Sequence, residues 1–483
     1  MPQSRIAREI LDPTRKALFI NLDDSIFGSF AEIGAGQEVA RLFFRSGGAS
    51  GTVARTISAY DMQFSNSVYG KCPGGRYVSE QRLMQMLDIE YKSLQDLLSE
   101  KRGEHTRFFA FANTVTTLSF KKDNDPHGYL GVRFQLNPGE PPNEVVLHVR
   151  LLENDSLLQQ QTIGILGVNL IYACYHNYQN PNGFLRSLLE SISDDRLEID
   201  MVRMSGPDLN YVDNRLLAVQ LVKNGMTSVT LFDRNGKVMQ PADLLYKKNV
   251  MVLRGSFRPI TYVGFDMLKS GFALFKKEIG FDKNNTEVLC EMTLNNLLGT
   301  GDFDERDFLD RVDILCGMGQ NVMISNFREF YKLAEWFRRF RLGSIRMVIG
   351  AHTFSNVLNQ KYYTHLRGGI LEALGKLFMD NLKLYIYPSC QNEGDDVLNV
   401  SNLPVEGSTL NLYQYLMENG FICHVPGYRK EILPYFSHVV LKKIKDNDAG
   451  WEKMVPRYVS SYIKEKSLFG YGAPKKRAKS VKK

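Results

Sequence analysis

The feature that most constrains the fold is a regular alternation of apolar strands and amphipathic helices between residues 285 and 390. In chain order, the predicted elements are a strand at 287–292, a helix at 303–317, a strand at 321–325, a helix at 327–340, a strand at 345–350, a helix at 368–379 and a strand at 382–387. Largely apolar strands joined by helices are typical of parallel βαβ units, because helices cover both faces of such a sheet. We therefore predict an α/β protein with parallel βαβ units in its C-terminal half.

The N-terminal half shows a different pattern, in which strand-like stretches are separated by turn-rich segments. Residues 129–134 and 145–150 flank a connection rich in proline and glycine, which favours an antiparallel pair. An Asn-Gly turn at Asn235–Gly236 predicts a further hairpin. We therefore expect a mixed sheet in this half, and a helical cap near the C-terminus at about 408–466.

These changes of pattern divide the chain of 483 residues into five predicted segments. They are an α/β domain with a glycine-rich strand–turn–helix block at 1–150, a mixed helical and hairpin region at 151–284, a parallel βαβ domain at 285–390, a helical C-terminal extension at 391–470 and a disordered basic tail at 471–483. A chain of this length can form more than one hydrophobic core.

The net charge of +7 arises mostly in the tail, which holds six basic residues and no acidic residue after Gly470. The rest of the chain is nearly neutral and lacks the excess of positive charge that is typical of a nucleic-acid-binding domain. The tail is either a solvated end or a segment that contacts RNA or an anionic surface. A second basic stretch, between Lys247 and Pro259, can likewise meet a phosphate or simply lie at the surface.

Targeting and metal signals are lacking in the sequence. No apolar run reaches the length of about 18 residues that crosses a bilayer, and no apolar segment follows the first residues as it does in a secretory signal. The six cysteines include no C-x-x-C pair, and the eight histidines show no paired metal-binding spacing. We therefore expect a cytoplasmic protein that has no metal site and makes no contact with a membrane. The sequence leaves the cofactor open.

Two glycine-rich turns near the N-terminus form the first candidate site, for a nucleotide or a phosphate. An apolar segment at 17–22 is predicted as the strand that leads into them. Glycines at a strand-to-helix junction let backbone N–H groups approach an anion closely, and the helix dipole favours negative charge there. The residues assigned to this site are Gly34, Gly36, Gly47, Gly48, Ser50, Gly51 and Thr52, with Arg55 as a guanidinium donor.

The two turns depart from the standard nucleotide-binding fingerprints. Val39 stands where a dinucleotide-binding loop has its third glycine, and no lysine precedes Thr52 as a Walker A loop requires. Two interpretations therefore stay open. The turns either form a real anion site or only permit close packing of the backbone.

The second candidate site lies at the carboxyl ends of the predicted parallel strands, where open α/β sheets bind ligands. His352 is the candidate acid–base there, because the ordinary pKa of imidazole lies near neutrality. Glu291 and Lys361 are further catalytic candidates, and Lys361 is expected to contact a phosphate. Ser325 and Asn326 are assigned to cofactor binding. The alternative is that His352 caps a short helix and Glu291 pairs with a nearby base.

Across nearly its whole length the sequence resembles a bacterial family of about this size. The stretches that carry the resemblance are 17–23, 30–39, 47–52, 58–62, 212–216, 307–315, 324–327, 368–372 and 451–456. Members of such families carry the automatic labels nicotinate- or nicotinamide-nucleotide adenylyltransferase and TonB-dependent receptor. Adenylyltransferases of that class use an H-x-G-H loop and an I-S-S-T-x-x-R segment, and residues 350–352 and 324–328 match these only in part. The motifs here support neither label, and the resemblance implies no site residue.

The sequence predicts a protein that binds a nucleotide or another phosphorylated metabolite, with nucleotidyl or phosphoryl transfer as the corresponding reaction class. The alternative is a non-catalytic scaffold that acts as a homo-oligomer or holds a protein partner. An enzyme should place His352, Glu291 and Asn326 in one concave pocket. A scaffold should instead expose a large apolar patch.

Overall fold

The computed structural model describes residues 11–298, 303–390, 396–405 and 407–472. The chain forms two compact units, which divide between Thr227 and Ser228, within the predicted segment 151–284. Each unit contains one β-sheet with helices packed against it. Residues 473–483 of the predicted basic tail lie outside the described residues.

The first unit contains six strands and seven helices among its described residues. The strands are β1 (Ile26–Gly34), β2 (Val53–Ser58), β3 (Arg107–Thr116), β4 (His127–Phe134), β5 (Asn143–Leu151) and β6 (Leu197–Ser205). The helices are α1 (Pro13–Asn21), α2 (Gln37–Ser46), α3 (Met62–Tyr69), α4 (Glu80–Arg102), α5 (Ser156–His176), α6 (Pro181–Leu188) and α7 (Asn214–Lys223).

The first sheet is mixed, with the strand order β2-β1-β3-β4-β5-β6. Strand β1 is parallel to both β2 and β3, whereas β3 to β6 form an antiparallel series. The core lies between this sheet and helices α2 and α5, where the ring of Phe30 contacts Phe43, Phe109 and Phe111 at centroid distances of 5.0, 5.5 and 5.9 Å. The predicted mixed sheet of the N-terminal half is thus confirmed.

The prediction of a strand at 17–22 is wrong, because these residues belong to helix α1. The side chain of Asp12 accepts a hydrogen bond from the Arg15 backbone N–H at 3.0 Å, and Pro13 occupies the first helical position. Both features favour a helix start. Ala17 and Ile20 are buried three residues apart, while Phe19 is exposed. A short apolar run does not distinguish a strand from a helix. The helix-start signal at Asp12–Pro13 was the sequence feature that indicated a helix here.

The second unit contains eight strands and ten helices among its described residues. The strands are β7 (Val229–Phe232), β8 (Val238–Met239), β9 (Asn249–Arg254), β10 (Thr286–Thr293), β11 (Asn321–Ser325), β12 (Ser344–Gly350), β13 (Leu382–Tyr387) and β14 (Ile422–His424). The helices are α8 (Pro241–Leu245), α9 (Tyr262–Phe275), α10 (Leu294–Leu298), α11 (Glu305–Gly317), α12 (Phe330–Phe337), α13 (Ala351–Val357), α14 (Gly369–Leu377), α15 (Leu410–Glu418), α16 (Ser437–Lys445) and α17 (Arg457–Lys466).

The second sheet has the strand order β14-β13-β12-β9-β10-β11-β7-β8. The strands β9 to β14 are parallel to their neighbours, and β7 and β8 continue the sheet in antiparallel fashion. Numbered along the chain from β9, the six parallel strands lie in the order 3-2-1-4-5-6. The order therefore reverses between β9 and β12, as in a doubly wound nucleotide-binding sheet.

The predicted α/β class with parallel βαβ units and a helical C-terminal region is confirmed. The structure adds two strands to the predicted set of parallel strands. Strand β9 lies at the centre of the sheet, and β14 comes from the segment that was predicted to be wholly helical. In the described residues, no helix has both the length and the apolar character needed to span a bilayer.

The close approach of β1 and β3 generates a prediction about Gly34. Its φ of +85° lies in the region that favours glycine, and a Cβ at this position would lie 1.9 Å from the carbonyl oxygen of Val115. We expect Gly34→Ala to lower the free energy of unfolding of the first unit by more than about 2 kcal/mol, since strain and overpacking both contribute. Urea unfolding followed by hydrogen exchange in peptides of each unit measures this change.

The control is Gly375→Ala in helix α14, where a Cβ would meet nothing within 4 Å. Alanine is favoured over glycine inside a helix by roughly 0.5–1 kcal/mol, so this variant should stabilise the second unit slightly. Equal stability of Gly34→Ala and the wild type would contradict the packing argument.

Candidate functional site

The carboxyl ends of the six parallel strands meet at one edge of the second sheet. The helices that follow β9 and β12 cover opposite faces of this sheet. Gly271 of α9 lies against Val348 and Met251, whereas Leu374 of α14 belongs to the hydrophobic cluster that contains Val250. Because the two connections leave in opposite directions, a sheet of this type is expected to have a crevice between these two strand ends, here those of β9 and β12.

The junction between β9 and α9 provides backbone donors at this crevice. Thr261 is the N-cap residue of α9, and its side chain makes no capping hydrogen bond. The first N–H groups of a helix have no intrahelical acceptor, and the helix dipole makes that end positive. Ser256 is exposed on the preceding loop. The Arg429 guanidinium lies 5.3 Å from the centre of the Tyr262 ring and 3.8 Å from the Asp266 carboxylate.

The sequence analysis did not identify the β9–α9 junction as a strand followed by a helix. It interpreted the stretch between Lys247 and Pro259 only as basic, whereas residues 249–254 form the central strand of the sheet. The usable signal was the apolar run Val250–Leu253 followed by Gly255 and a helical pattern. Flanking lysine and arginine residues obscured that run, because they are unusual beside a central strand.

Glu291 is held by an arginine rather than by His352. Its carboxylate receives two hydrogen bonds from Arg254, both at 2.8 Å, and one from the Ser325 hydroxyl at 2.6 Å. The Glu291 side chain is completely buried, and the Arg254 guanidinium also lies 4.3 Å from the centre of the Phe330 ring. A bidentate arginine–carboxylate pair holds both side chains in a defined geometry. The structure thus supplies the base that the alternative interpretation of Glu291 required.

His352 lies in a different place from Glu291. It is exposed and lines a cavity of about 440 Å³ together with Asn356, Asn359 and Ser389. Glu291, Ser325 and Asn326 do not line that cavity. The Ser389 hydroxyl accepts a hydrogen bond from the His352 backbone N–H at 3.0 Å, so Ser389 rather than His352 caps helix α13.

The other predicted residues of this edge also lie apart. Asn326 is exposed at the end of β11, whereas Ser325 is buried against Glu291. Lys361 lies on an exposed turn, with its ammonium 4.9 Å from the centre of the Tyr362 ring. The structure therefore joins Ser325 to Glu291, but does not gather the predicted catalytic residues His352, Glu291 and Lys361 in one cavity.

In the first unit, the turn at Gly34–Gly36 lies at a strand-to-helix junction, between β1 and α2. This turn packs tightly on β3, because a Cβ on Gly36 would lie 1.9 Å from the amide nitrogen of Asn113. The Gln37 side chain closes the junction, donating hydrogen bonds to the Gly34 carbonyl at 2.7 Å and to the Ser58 hydroxyl at 3.0 Å.

The second glycine turn lies at the other end of α2 and leads into β2. The helix of ten residues separates the two turns by about 15 Å. The Asn21 amide donates hydrogen bonds to the carbonyls of Phe43 and Gly47, at 2.9 and 2.7 Å. Helix carboxyl ends carry partial negative charge, which disfavours a phosphate. Gly47, Gly48, Ser50, Gly51 and Thr52 are thus far from Gly34 and Gly36, and the two turns do not form one cradle.

Arg55 is likewise engaged in the fold. Its guanidinium donates to the Glu90 carboxylate at 2.8 and 3.0 Å, and the Tyr69 hydroxyl donates to the same carboxylate at 2.9 Å. The Glu90 side chain is fully buried, so removing Arg55 would leave a buried charge without its partner. This pair explains the position of Arg55 without a ligand.

Glu32 of β1 is a candidate residue that the sequence analysis did not identify. It lines a cavity of about 450 Å³ with Thr56 of β2 and Gln37, Arg41 and Arg45 of α2. Its side chain makes no hydrogen bond or ion pair with another described residue, although the residue is only 4% exposed. Burial raises the pKa of the Glu32 carboxyl to about 7. An alternating strand pattern could have indicated a polar group on the buried face, but not its lack of a partner.

A chain of buried polar groups crosses the opposite part of the first sheet. Nδ1 of His148 lies 2.5 Å from the Asp200 carboxylate, and Nε2 of His148 lies 3.1 Å from Nδ1 of His127. The ring of Tyr129 packs on His148 at 4.5 Å. Burial and the neighbouring His148 lower the pKa of His127 to about 4. This network satisfies the buried carboxyl of Asp200 within the fold.

Comparisons with known proteins leave the family open. No protein-family model matches the chain, and no curated protein matches it. Several solved structures are partly similar to this chain. One is a competence/damage inducible protein, CihA, from Agrobacterium tumefaciens, which is 20% identical in sequence and has a TM-score of 0.23. The match covers 33% of this chain and 90% of that chain. A CinA superfamily protein from Enterobacter cloacae is 13% identical, with a TM-score of 0.24, and the match covers 36% of this chain and 96% of that chain. A putative nicotinate-nucleotide adenylyltransferase from Vibrio parahaemolyticus is 14% identical, with a TM-score of 0.25, and the match covers 46% of this chain and 95% of that chain. Likeness at these TM-scores supports no conclusion about function.

The Arg254–Glu291 pair generates a stability prediction. Glu291→Gln leaves the largely buried Arg254 without its charged partner, which costs about 3–5 kcal/mol in comparable buried pairs. Urea unfolding of the second unit measures the loss. The control is Glu329→Gln, since the pair of Glu329 with the exposed Lys332 should contribute less than about 1 kcal/mol. Equal effects of both substitutions would contradict a structural role for Glu291.

The raised pKa of Glu32 generates a second stability prediction. The folded state holds this proton up to a pH of about 7, whereas the ordinary pKa is 4.5, so stability falls as the pH rises between these values. Glu32→Gln removes the cost of ionisation and should stabilise the first unit by about 3 kcal/mol at pH 8.5, but not at pH 4. Unfolding at both pH values measures this, with the exposed Glu104→Gln as control. A wild-type stability that does not fall in this pH range relative to Glu32→Gln would contradict the assignment.

Proposed function

We propose that the protein binds a nucleotide or another phosphorylated metabolite at the carboxyl edge of its second sheet, between the ends of β9 and β12. The observation that carries this proposal is the reversal of strand order between these two strands. In open α/β sheets this reversal is where ligands bind, because neighbouring connections diverge there and leave the strand ends accessible. The proposal retains the ligand class predicted from sequence and assigns it to another segment of the chain.

The chemistry of the β9–α9 junction suits a phosphate. Helix α9 has 14 residues, its N-cap side chain makes no capping bond, and its first N–H groups lie at the crevice end of the helix. Ser256 is exposed on the loop that leads to this helix, and the partly exposed guanidinium of Arg429 lies 5.3 Å from the centre of the Tyr262 ring. Backbone donors, a hydroxyl and a guanidinium form a typical set of phosphate contacts.

For a transfer reaction at this edge, His352 is the candidate proton-transfer group. It follows the end of β12, directly across from the end of β9 in the sheet. An exposed imidazole can donate a proton to a bound ligand or accept one from it. Glu291 is not suited to this role, because its buried carboxylate is occupied by two hydrogen bonds from Arg254 and one from Ser325.

Ser256→Glu tests the proposal. The new carboxylate would lie beside the phosphate position and repel it, and one unit charge at about 5 Å in a partly polar environment costs several kcal/mol. We expect nucleotide affinity to fall at least about tenfold, which corresponds to about 1.4 kcal/mol. Isothermal titration with a panel of nucleoside mono-, di- and triphosphates and sugar phosphates measures the effect.

The matched control is Asn284→Glu. Asn284 is exposed just before β10 and therefore lies at the amino edge of the parallel strands, so the same change of charge occurs far from the crevice. Its affinity should equal that of the wild type. Equal loss in both variants would indicate a general charge effect and would contradict the site.

Absence of binding across the panel would favour the scaffold alternative. The observation that supports this second function lies around the edge strand β2, where Phe44, Tyr60, Met62 and Phe64 are each at least 50% exposed. Exposed apolar side chains beside an unpaired strand edge are typical of an interaction surface. A concentration-dependent sedimentation coefficient would then identify self-association.

A further inference from the structure

The cavity beside Glu32 in the first unit carries an inference that is independent of the crevice in the second. Folded proteins normally pair buried charges and satisfy buried polar groups. The Glu32 carboxyl has no hydrogen-bonding or ionic partner among the described residues, and its oxygens open onto the cavity although the residue is only 4% exposed. The cavity wall is therefore the place where a missing partner would fit.

A second unsatisfied group lies next to Glu32. Asn113 occupies the position on β3 directly paired with Glu32 in the parallel register. It is completely buried, and neither its amide oxygen nor its amide nitrogen has a partner within the described chain. The Asn113 amide lies against Gly36, the N-cap residue of α2. Two neighbouring strands thus present unsatisfied polar groups close to the amino end of the same helix.

The outer part of the cavity has the opposite charge. Arg41 and Arg45 lie one helical turn apart on α2, and both line the cavity. Arg41 is exposed and pairs with Glu38 at 2.8 Å, whereas Arg45 forms no ion pair within the described residues. Phe44 adds an apolar wall. Guanidinium groups at the rim favour a phosphate or carboxylate.

These groups define the chemistry of the ligand. The inner carboxylate favours a hydrogen-bond donor, and the exposed arginines favour an anion, so a ligand that carries both at its two ends matches the cavity. A volume of about 450 Å³ lies within the range of small-molecule sites. Thr56 and Gln37 also line the cavity and offer further polar atoms.

We propose that this cavity is a second small-molecule site, which takes a mononucleotide, or a phosphate monoester of similar size, whose other end carries an amino or amide group. The amino group donates to the Glu32 carboxylate, and the phosphate contacts Arg41 and Arg45. The Gly34–Gly36 turn contributes by allowing the start of α2 to lie close to β3.

The proposal predicts a pH dependence with a definite sign. Around Glu32 the charged or titratable groups are Glu38, Arg41 and Arg45 on α2, Arg55 on β2, Tyr69 on α3 and Glu90 on α4. Glu90 is paired with Arg55, and Glu38 with Arg41. An amino donor prefers the ionised Glu32, so affinity should rise as the pH increases through about 7. Ligand binding should in turn lower the pKa of Glu32.

The experiment compares nucleotides that differ only in the proposed donor. AMP and CMP carry an exocyclic amino group, whereas IMP and UMP carry a carbonyl oxygen in its place. Titrations at pH 8 use the full chain with Ser256→Glu, so that binding in the second unit is suppressed. We expect AMP or CMP to bind at least about fivefold more tightly than IMP or UMP respectively, since only the amino nucleotides donate a hydrogen bond to the ionised carboxylate.

Variants of the first unit complete the test. Glu32→Gln should abolish both the preference for the amino nucleotide and the pH dependence, while Arg45→Gln should weaken all four nucleotides about equally. Glu32→Gln is expected to stabilise the unit at this pH, so a loss of preference would not reflect unfolding. Lys92→Gln on α4, an exposed residue, provides a control for loss of positive charge.

Three results would overturn the proposal. The first is no binding of any of the four nucleotides in the Ser256→Glu chain. The second is equal affinity for AMP and IMP and for CMP and UMP, and the third is a preference that survives Glu32→Gln. Because Ser256 belongs to the second unit and Glu32 to the first, failure here leaves the function proposed for the crevice at β9 and β12 untouched.

Discussion

The parallel hydrogen-bond ladders on both sides of β9 are the constraint on which the second unit depends. Strand β9 pairs with β10 on one side and with β12 on the other, in register over five or six residues each. A right-handed crossover from β9 to β10 and one from β12 to β13 must cover opposite faces of the sheet. The crevice at the strand ends is therefore a consequence of backbone pairing, and side chains only decide what fits into it.

Buried carboxyl groups occupy two kinds of environment in this protein. Glu291 and Glu90 are fully buried, and each is matched by an arginine and a hydroxyl. Glu32 is almost as deeply buried, yet it faces a cavity and has no such match. An unmatched buried carboxyl destabilises the folded state when it ionises. The ligand proposed for the cavity would supply the partner that Glu32 lacks.

Much of the second sheet could be predicted from the sequence, because its strands are apolar and separated by helices with a clear period. Strands β11 and β13 begin and end at the predicted residues. Strand β9 could not be recognised in the same way, since lysines precede it and Arg254 ends it. Arg254 is tolerated there because it extends past the strand end to the Glu291 carboxylate and the Phe330 ring. That contact joins residues 37 positions apart in the chain, so local pattern does not reveal it.

The sequence by itself determined the α/β class, the parallel order of the C-terminal strands and the glycine positions at the β1–α2 junction, because these follow from hydrophobic period and backbone freedom within short segments. It also determined which residue types were available for a site. Only the tertiary structure decided their partners. It separated the two glycine turns by the length of α2, engaged Glu291 and Arg55 in ion pairs, and left Glu32 facing a cavity. Whether a polar side chain is satisfied depends on neighbours brought together by strand pairing and helix packing, which a linear pattern does not contain.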